Sequence, residues 1–238
     1  TRTWPVGLVS HLVLWYSVIV AMVLFLITPL KDENKWANKF LFWSPKVIIP
    51  ILMMMFVSIG IRVNAYGVTE NRYFVIILGL WVLGVMIYFS IAKKHRNILI
   101  PVTLSIIALV SVFGPLSSYS ISKASQNNRF EKILLRNDML SQGQIQTAPS
   151  TISREDKYEI SRILDYFRSS HSLEDAKYIP ENFKIEDMGK VLGFAYESPQ
   201  YGSQGGYFYY LSEDAIDISG YYYLFDNSSL HNKSAATH

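Results

Sequence analysis

The stretch Arg62-Val-Asn-Ala-Tyr-Gly-Val-Thr-Glu-Asn-Arg-Tyr73 concentrates the polar chemistry of the first half of the chain. Two arginines and one glutamate stand there between apolar runs, where lower polarity strengthens charge interactions relative to bulk water. Two readings follow. In the first, Gly67 supplies a turn, Thr69 caps a helix and Glu70 favours that helix's positive N-terminal end. In the second, Arg62, Asn64, Tyr66, Glu70 and Arg72 form a site for a ligand or a lipid headgroup. His11 is the one side chain that ionises near neutral pH in the interior of a predicted span, away from the cations at span ends, which makes it a candidate proton relay or ligand contact. It also lies about one and a half turns from the helix start, within reach of interfacial water.

Other chemistries find no support in the residue types. The absence of cysteine excludes disulfides, thiolate metal sites and cysteine nucleophiles. His95, His171, His231 and His238 have no carboxylate or histidine companions at metal-ligand spacing. Glu213, Asp214 and Asp217 do not match a calcium loop, and Gly202-Ser-Gln-Gly-Gly206 lacks the Lys-Ser/Thr ending of a phosphate-binding loop. No G-x-S-x-G elbow is present. The sequence therefore predicts no catalytic residue, metal or cofactor. Tyr207, Tyr209, Tyr210, Tyr221, Tyr222 and Tyr223 are the unusual feature of the tail. On adjacent strands about half would face outward, as rigid amphipathic contact area for a protein, a glycan or a membrane interface.

The elements that would carry these residues follow from the charge distribution. Before residue 122 there are ten Lys+Arg against three Asp+Glu; afterwards twelve against sixteen. Half of the chain is hydrophobic, and the basic residues flank apolar runs, where they anchor helix ends to headgroups. Nucleic-acid binding is not implied. Apolar segments at about 6–30, 44–62, 73–92 and 98–116 predict four transmembrane helices, because lipid offers no partner to an unpaired backbone group. Pro50 and Pro101 fall near predicted helix starts, and Pro115 is expected to kink or end the fourth helix. Ser105, Ala108, Ser111 and Gly114 form a small-residue stripe suited to close helix packing. Seven cations, Lys31, Lys35, Lys39, Lys46, Lys93, Lys94 and Arg96, mark one face as cytoplasmic, leaving the tail outside. Lys123, Arg129, Lys132 and Arg136, just after the fourth segment, bring the tally level.

The resulting fold class is a membrane α-helical bundle of about four transmembrane helices followed by a small soluble α+β domain. Residues 1–121 form the membrane region, 122–150 a short helix and linker, and 151–238 the tail, which reads as incomplete. A short amphipathic helix is predicted over 128–140, with Phe130, Ile133 and Leu134 on one side, followed by a linker at 141–150. Ser153 with Asp156 reads as a helix start, and Ile160, Ile163, Leu164 and Phe167 give an apolar stripe at i, i+3, i+4 and i+7. A further helix is predicted over 185–192, closed by Gly193, and strands over 207–211, 215–219 and 221–225.

The Arg62 to Tyr73 words, together with Phe113-Gly-Pro-Leu-Ser-Ser-Tyr-Ser-Ile-Ser-Lys-Ala-Ser-Gln-Asn-Asn-Arg-Phe130 and Ile216-Asp-Ile-Ser-Gly-Tyr221, resemble a bacterial membrane family catalogued as domain of unknown function 4153, and its close relatives. The resemblance covers about 4–225. That family is longer at its amino end, with additional spans, which accords with a chain that starts at Thr1 rather than Met and reads as a fragment. The resemblance implies an integral protein of the bacterial cytoplasmic (inner) membrane and supplies no reaction. The functional expectation is a non-enzymatic envelope protein in contact with membrane lipids, presenting an extracytoplasmic domain to a protein or cell-wall partner or to a signal. The alternative is a transporter or a transporter subunit.

Overall fold

A computed structural model describes residues 6–92 and 96–197 and is mainly helical. The predicted strands over 207–225 and the six tail tyrosines lie outside the described residues.

Helix α1 (Val6–Ile27) buries Leu14, Val18, Ala21 and Leu24 along one face and exposes Leu12, Trp15, Ile19, Met22 and Leu26 on the other. An apolar face left open to the surroundings is what a lipid solvent permits. A short 3₁₀ turn (Thr28–Leu30) leads to Asn34, whose side chain caps α2 (Lys35–Tyr66) by accepting from the Trp36 and Ala37 amides. The buried residues of α2, Leu41, Pro45, Ile48, Leu52, Met55 and Ile59, alternate by four and three. That seam packs against α1 and against α3 (Glu70–Ile91), the central helix of the bundle. Gly79 on α3 permits the closest approach, since a Cβ there would lie 2.8 Å from Met55 Cε and 3.1 Å from Phe56 Cζ.

Two expectations for this half need correction. The second helix extends well beyond 44–62: α2 has 32 residues, about 48 Å of helix, so Lys35 and Lys39 lie on helix before the predicted segment, and Pro45 and Pro50 are interior. Lys46 Nζ stands 3.1 Å from the Phe42 ring centroid, the interfacial packing expected where a helix emerges from hydrocarbon. The fourth segment is shorter than predicted. Helix α4 (Leu99–Val112) has 14 residues, about 21 Å, against a hydrocarbon thickness of about 30 Å. It stops because Gly114 turns left-handed (φ +84°) just before Pro115, and Ser117 then caps a new helix. Three helices, rather than four, are long and apolar enough to cross a membrane among the described residues. The small-residue stripe is also not a packing face here, because Ser105, Ala108 and Gly114 are exposed and only Ser111 is buried. Contact with α3 runs instead through Thr103, which accepts from Trp81 Nε1 at 3.0 Å, and through Ile100 and Ile107.

The next helix, α5 (Ser118–Arg136), begins well before the residue 128 predicted, because Ser117 supplies the cap and a polar row extends the helix backward from Phe130. The predicted linker instead carries a hairpin, β1 (Leu140–Ser141) with β2 (Gln144–Ile145), paired antiparallel as Leu140↔Ile145 and Ser141↔Gln144. Gln142 and Gly143 both have positive φ, as a tight two-residue hairpin turn requires. Ser153 caps α6 (Arg154–Ser170) by accepting from the Asp156 amide, and Ile160, Ile163, Leu164 and Phe167 are all buried, as their spacing predicts. A 3₁₀ turn (Ile185–Asp187) and α7 (Met188–Val191) follow, ended by Gly193 at φ +80°. These pieces share a second core of Phe130, Leu134, Met139, Ile160, Phe167, Met188 and Leu192.

Candidate functional site

The predicted Arg62 to Tyr73 loop is not a loop. Residues 62–66 are the last turn of α2, Glu70 opens α3, and only Gly67, Val68 and Thr69 connect them. Gly67 takes φ +72°, and a Cβ there would lie 2.9 Å from Gln126 Nε2. The connection is tight because α5 lies directly on it. Ser122, Ser125, Gln126 and Arg129 recur at i, i+3, i+4 and i+7 on α5, and all four bond to this junction.

Their partners satisfy the backbone groups that a helix end leaves over. Gln126 Nε2 donates to the Tyr66 and Val68 carbonyls at 3.2 and 2.8 Å, and Arg129 donates to the Ala65 carbonyl. Arg72 Nη1 donates to the Tyr66 and Gly67 carbonyls at 3.3 and 2.7 Å. Ser125 Oγ accepts from the Val68 amide at 2.9 Å. Guanidiniums at the negative end of the α2 dipole are favourably placed. Thr69 occupies the cap position of α3 but makes no side-chain cap bond, which corrects the role expected of it.

Glu70 departs from the arginines and forms a separate cluster. Its Oε1 accepts from Ser122 Oγ on α5 at 2.8 Å and from the Tyr166 hydroxyl on α6 at 2.7 Å, and it lies 2.6 Å from Nε2 of His171, which ends α6. The His171 ring is wholly buried among Tyr119, Tyr166 and Phe167, with centroids 4.4, 5.2 and 5.8 Å away. His171 Nδ1, on the other side of the ring, is buried with no hydrogen-bond partner among the described residues. Burial, reinforced by the bond to Glu70, raises the Tyr166 phenol far above its ordinary range, so it remains a donor.

Beside this cluster Asp175 bonds Lys123 and accepts from the Tyr119 hydroxyl at 2.7 Å. The Lys123 bond, then the Tyr119 bond, hold the Asp175 carboxyl below its usual range. Asn127 completes the strap, donating to the Asp175 carbonyl at 2.9 Å and accepting from the Lys177 amide at 2.7 Å.

The geometry locks elements together; it does not generate a nucleophile. In a serine–histidine–acid triad the imidazole stands between hydroxyl and carboxylate. Here the carboxylate stands between Ser122 and His171, and Ser122 is fully buried.

The remaining predicted residues divide as follows. Tyr66 lies under two guanidiniums, with Arg162 of α6 at 4.4 Å and Arg72 at 5.7 Å from its ring centroid. Arg62, one turn before Tyr66, is half-buried and makes no hydrogen bond or ion pair among the described residues. Asn64 is exposed and lines a cleft of about 710 Å³ between the end of α2, α5 and the start of α6. His11 is exposed on α1, and nothing in the structure brings it to Glu70 or the arginines. Sequence reasoning missed Ser122, Arg129, Arg162, Tyr166 and His171. Only the polar row of α5 carried a local signal; Tyr166 meets Glu70 across 96 positions.

Three long apolar helices with a polar seat at one end have the length and composition of a helical membrane protein. Residues 7–149 match the family model described as Domain of unknown function (DUF4153), and the chain belongs to that family. The match takes in Glu70 and α5 but ends before Tyr166 and His171, and the resembling words at 216–221 fall beyond it. No curated protein and no solved structure matches the chain.

Proposed function

We propose that this chain is an integral, non-enzymatic protein of the bacterial inner membrane and cell envelope that holds an extracytoplasmic domain in fixed register with its membrane helices, for partner binding or signalling. The observation that carries this reading is the three-way hold on Glu70 by Ser122, Tyr166 and His171. A domain meant only to be tethered has no need of a buried polar seat on the first turn of a membrane helix. A seated domain, by contrast, passes any displacement by a partner directly to α3. Partner contact is assigned to the tyrosine-rich segment 207–223, and membrane lipids surround the bundle.

Transport has less support. The buried polar residues of α1 and the turn after it are Ser10, Ser17 and Thr28, and no charged side chain is buried in α1 to α4 among the described residues. Transporters place polar groups or broken helices at that depth.

The test uses the cysteine-free background. Lys184→Cys and Lys39→Cys variants are exposed in intact cells to a membrane-impermeant maleimide. Labelling of the first alone supports an external domain; labelling of the second alone reverses the orientation and removes the extracytoplasmic role. Loss of in-cell crosslinking to envelope components in a Tyr221 to Tyr223 alanine variant supports partner contact through the tail.

A further inference from the structure

We propose that Arg72 and Arg162, both over the Tyr66 ring, with Arg62 one turn earlier on α2, bind the phosphate of an anionic phospholipid headgroup at the membrane boundary. The charges that repel the Arg72 guanidinium come from three elements, Arg162 on α6, Arg62 on α2 and Arg129 on α5. Against these four cations the structure sets one carboxylate, Glu159, which pairs with Arg129 and, at 3.0 Å, with Arg162. Glu70, the nearest acid in sequence, is committed to Ser122, Tyr166 and His171 and forms no ion pair with an arginine among the described residues.

The cluster therefore carries about three uncompensated positive charges. Carbonyl bonds at the end of α2 orient Arg72 without neutralising it, and Arg62 has no partner among the described residues. Like-charged guanidiniums held this close disfavour one another unless an anion joins them. Planar guanidinium forks match the oxygens of a phosphate.

Position selects the source of that phosphate. Arg62 follows Ile61, which is 66% exposed, and Arg72 precedes the exposed Phe74 by two residues. Phe113 and Leu116 are exposed near the same end of the bundle, where Tyr73 donates to the Leu116 carbonyl at 2.6 Å. Arg62 and Arg72 thus stand within one turn of lipid-facing side chains, at headgroup depth. Tyr66, itself 43% exposed, is the kind of aromatic that resides there.

The experiment reconstitutes the full chain in nanodiscs containing phosphatidylglycerol, in zwitterionic phosphatidylcholine nanodiscs, and in the latter with added inorganic phosphate. Lipid and phosphate retention are read by native mass spectrometry. The expected result is selective retention of phosphatidylglycerol, weakened roughly tenfold in Arg62→Gln/Arg72→Gln, as for loss of a charge-assisted contact. Arg62→Gln alone removes no bond within the fold and should show a smaller loss with unchanged melting. Lys39→Gln, at the opposite end of α2, should leave retention unchanged. Phosphate retention without lipid preference, lost in the same variants, keeps the site and assigns it to free phosphate. Equal retention in wild type and variants, or none of either ligand, overturns the proposal.

Discussion

Nε2 of His171 lies 2.6 Å from Oε1 of Glu70, so the C-terminal cap of α6, a helix outside the bundle, touches the first turn of α3, its central helix. This contact, with those from Ser122 and Tyr166, links the bundle to the second core.

Removing one partner should loosen that link measurably. His171→Phe retains the ring packing against Tyr119, Tyr166 and Phe167 but leaves Glu70 with one polar contact fewer. A loss of about 1 kcal/mol is expected, as for one hydrogen bond to a charged group that is partly exposed. Thermal unfolding in mild detergent measures it. Combining His171→Phe with Glu70→Gln should cost less than the two separate losses added together, because both variants remove the same interaction.

Gly67→Ala should be more harmful than its size suggests. The residue has φ +72°, and the new methyl would meet Gln126 Nε2 at 2.9 Å, so α5 must shift from the junction. The expected cost is about 1–3 kcal/mol, from strain together with displaced hydrogen bonds. Gly84→Ala has open space around its Cβ and should be neutral or raise stability by up to about 1 kcal/mol. Melting temperatures of the two variants, compared side by side, check this.

The Asp175 strap should impose a defined pH dependence. Its carboxyl is held below the ordinary value by Lys123 and Tyr119, so folding is favoured while the group is ionised. That contribution is complete above the unfolded value of about 3.9 and disappears as pH falls through the lower folded value. Lys123, raised chiefly by the same bond, gives the mirror case: its contribution fades only as the lysine deprotonates, at pH above about 10.4. Asp175→Asn should therefore lower the melting temperature at pH 7, by an amount that shrinks as pH falls below about 3.9. A difference that persists unchanged at low pH would contradict this origin.

Phe167→Ala tests the second core. The side chain is fully buried and packs with Leu164, Ile160 and the His171 ring, so a cost of about 3–5 kcal/mol is expected. Leu135→Ala, at a position 54% exposed, should cost far less. Denaturant midpoints distinguish the two.

These relationships explain which parts of the molecule could be read from its residues. Periodicity located the helices because apolar burial is a local pattern: Ile160, Ile163, Leu164 and Phe167 identify α6, and Ser153 identifies its start. Boundaries were lost where a cap outweighed composition. Ser117 starts α5 in a stretch without apolar character, and Gly114 ends α4 before its hydrophobic run is exhausted. The site was half legible. Arg62, Tyr66, Glu70 and Arg72 stood out as charges and an aromatic between apolar runs, but the partners that separate Glu70 from the arginines come from α5 and α6. No local spacing encodes a contact such as Tyr166 with Glu70, because tertiary packing alone brings them together.

The central claim is that the second core is seated on the membrane helices rather than tethered to them. Spin labels on Val57→Cys, exposed on α2, and Lys184→Cys, exposed beyond α6, allow their separation to be measured by pulsed electron resonance in nanodiscs. The account predicts one narrow distance distribution that broadens when Glu70→Gln is added. A broad distribution in the otherwise unaltered chain, indifferent to Glu70, would contradict it.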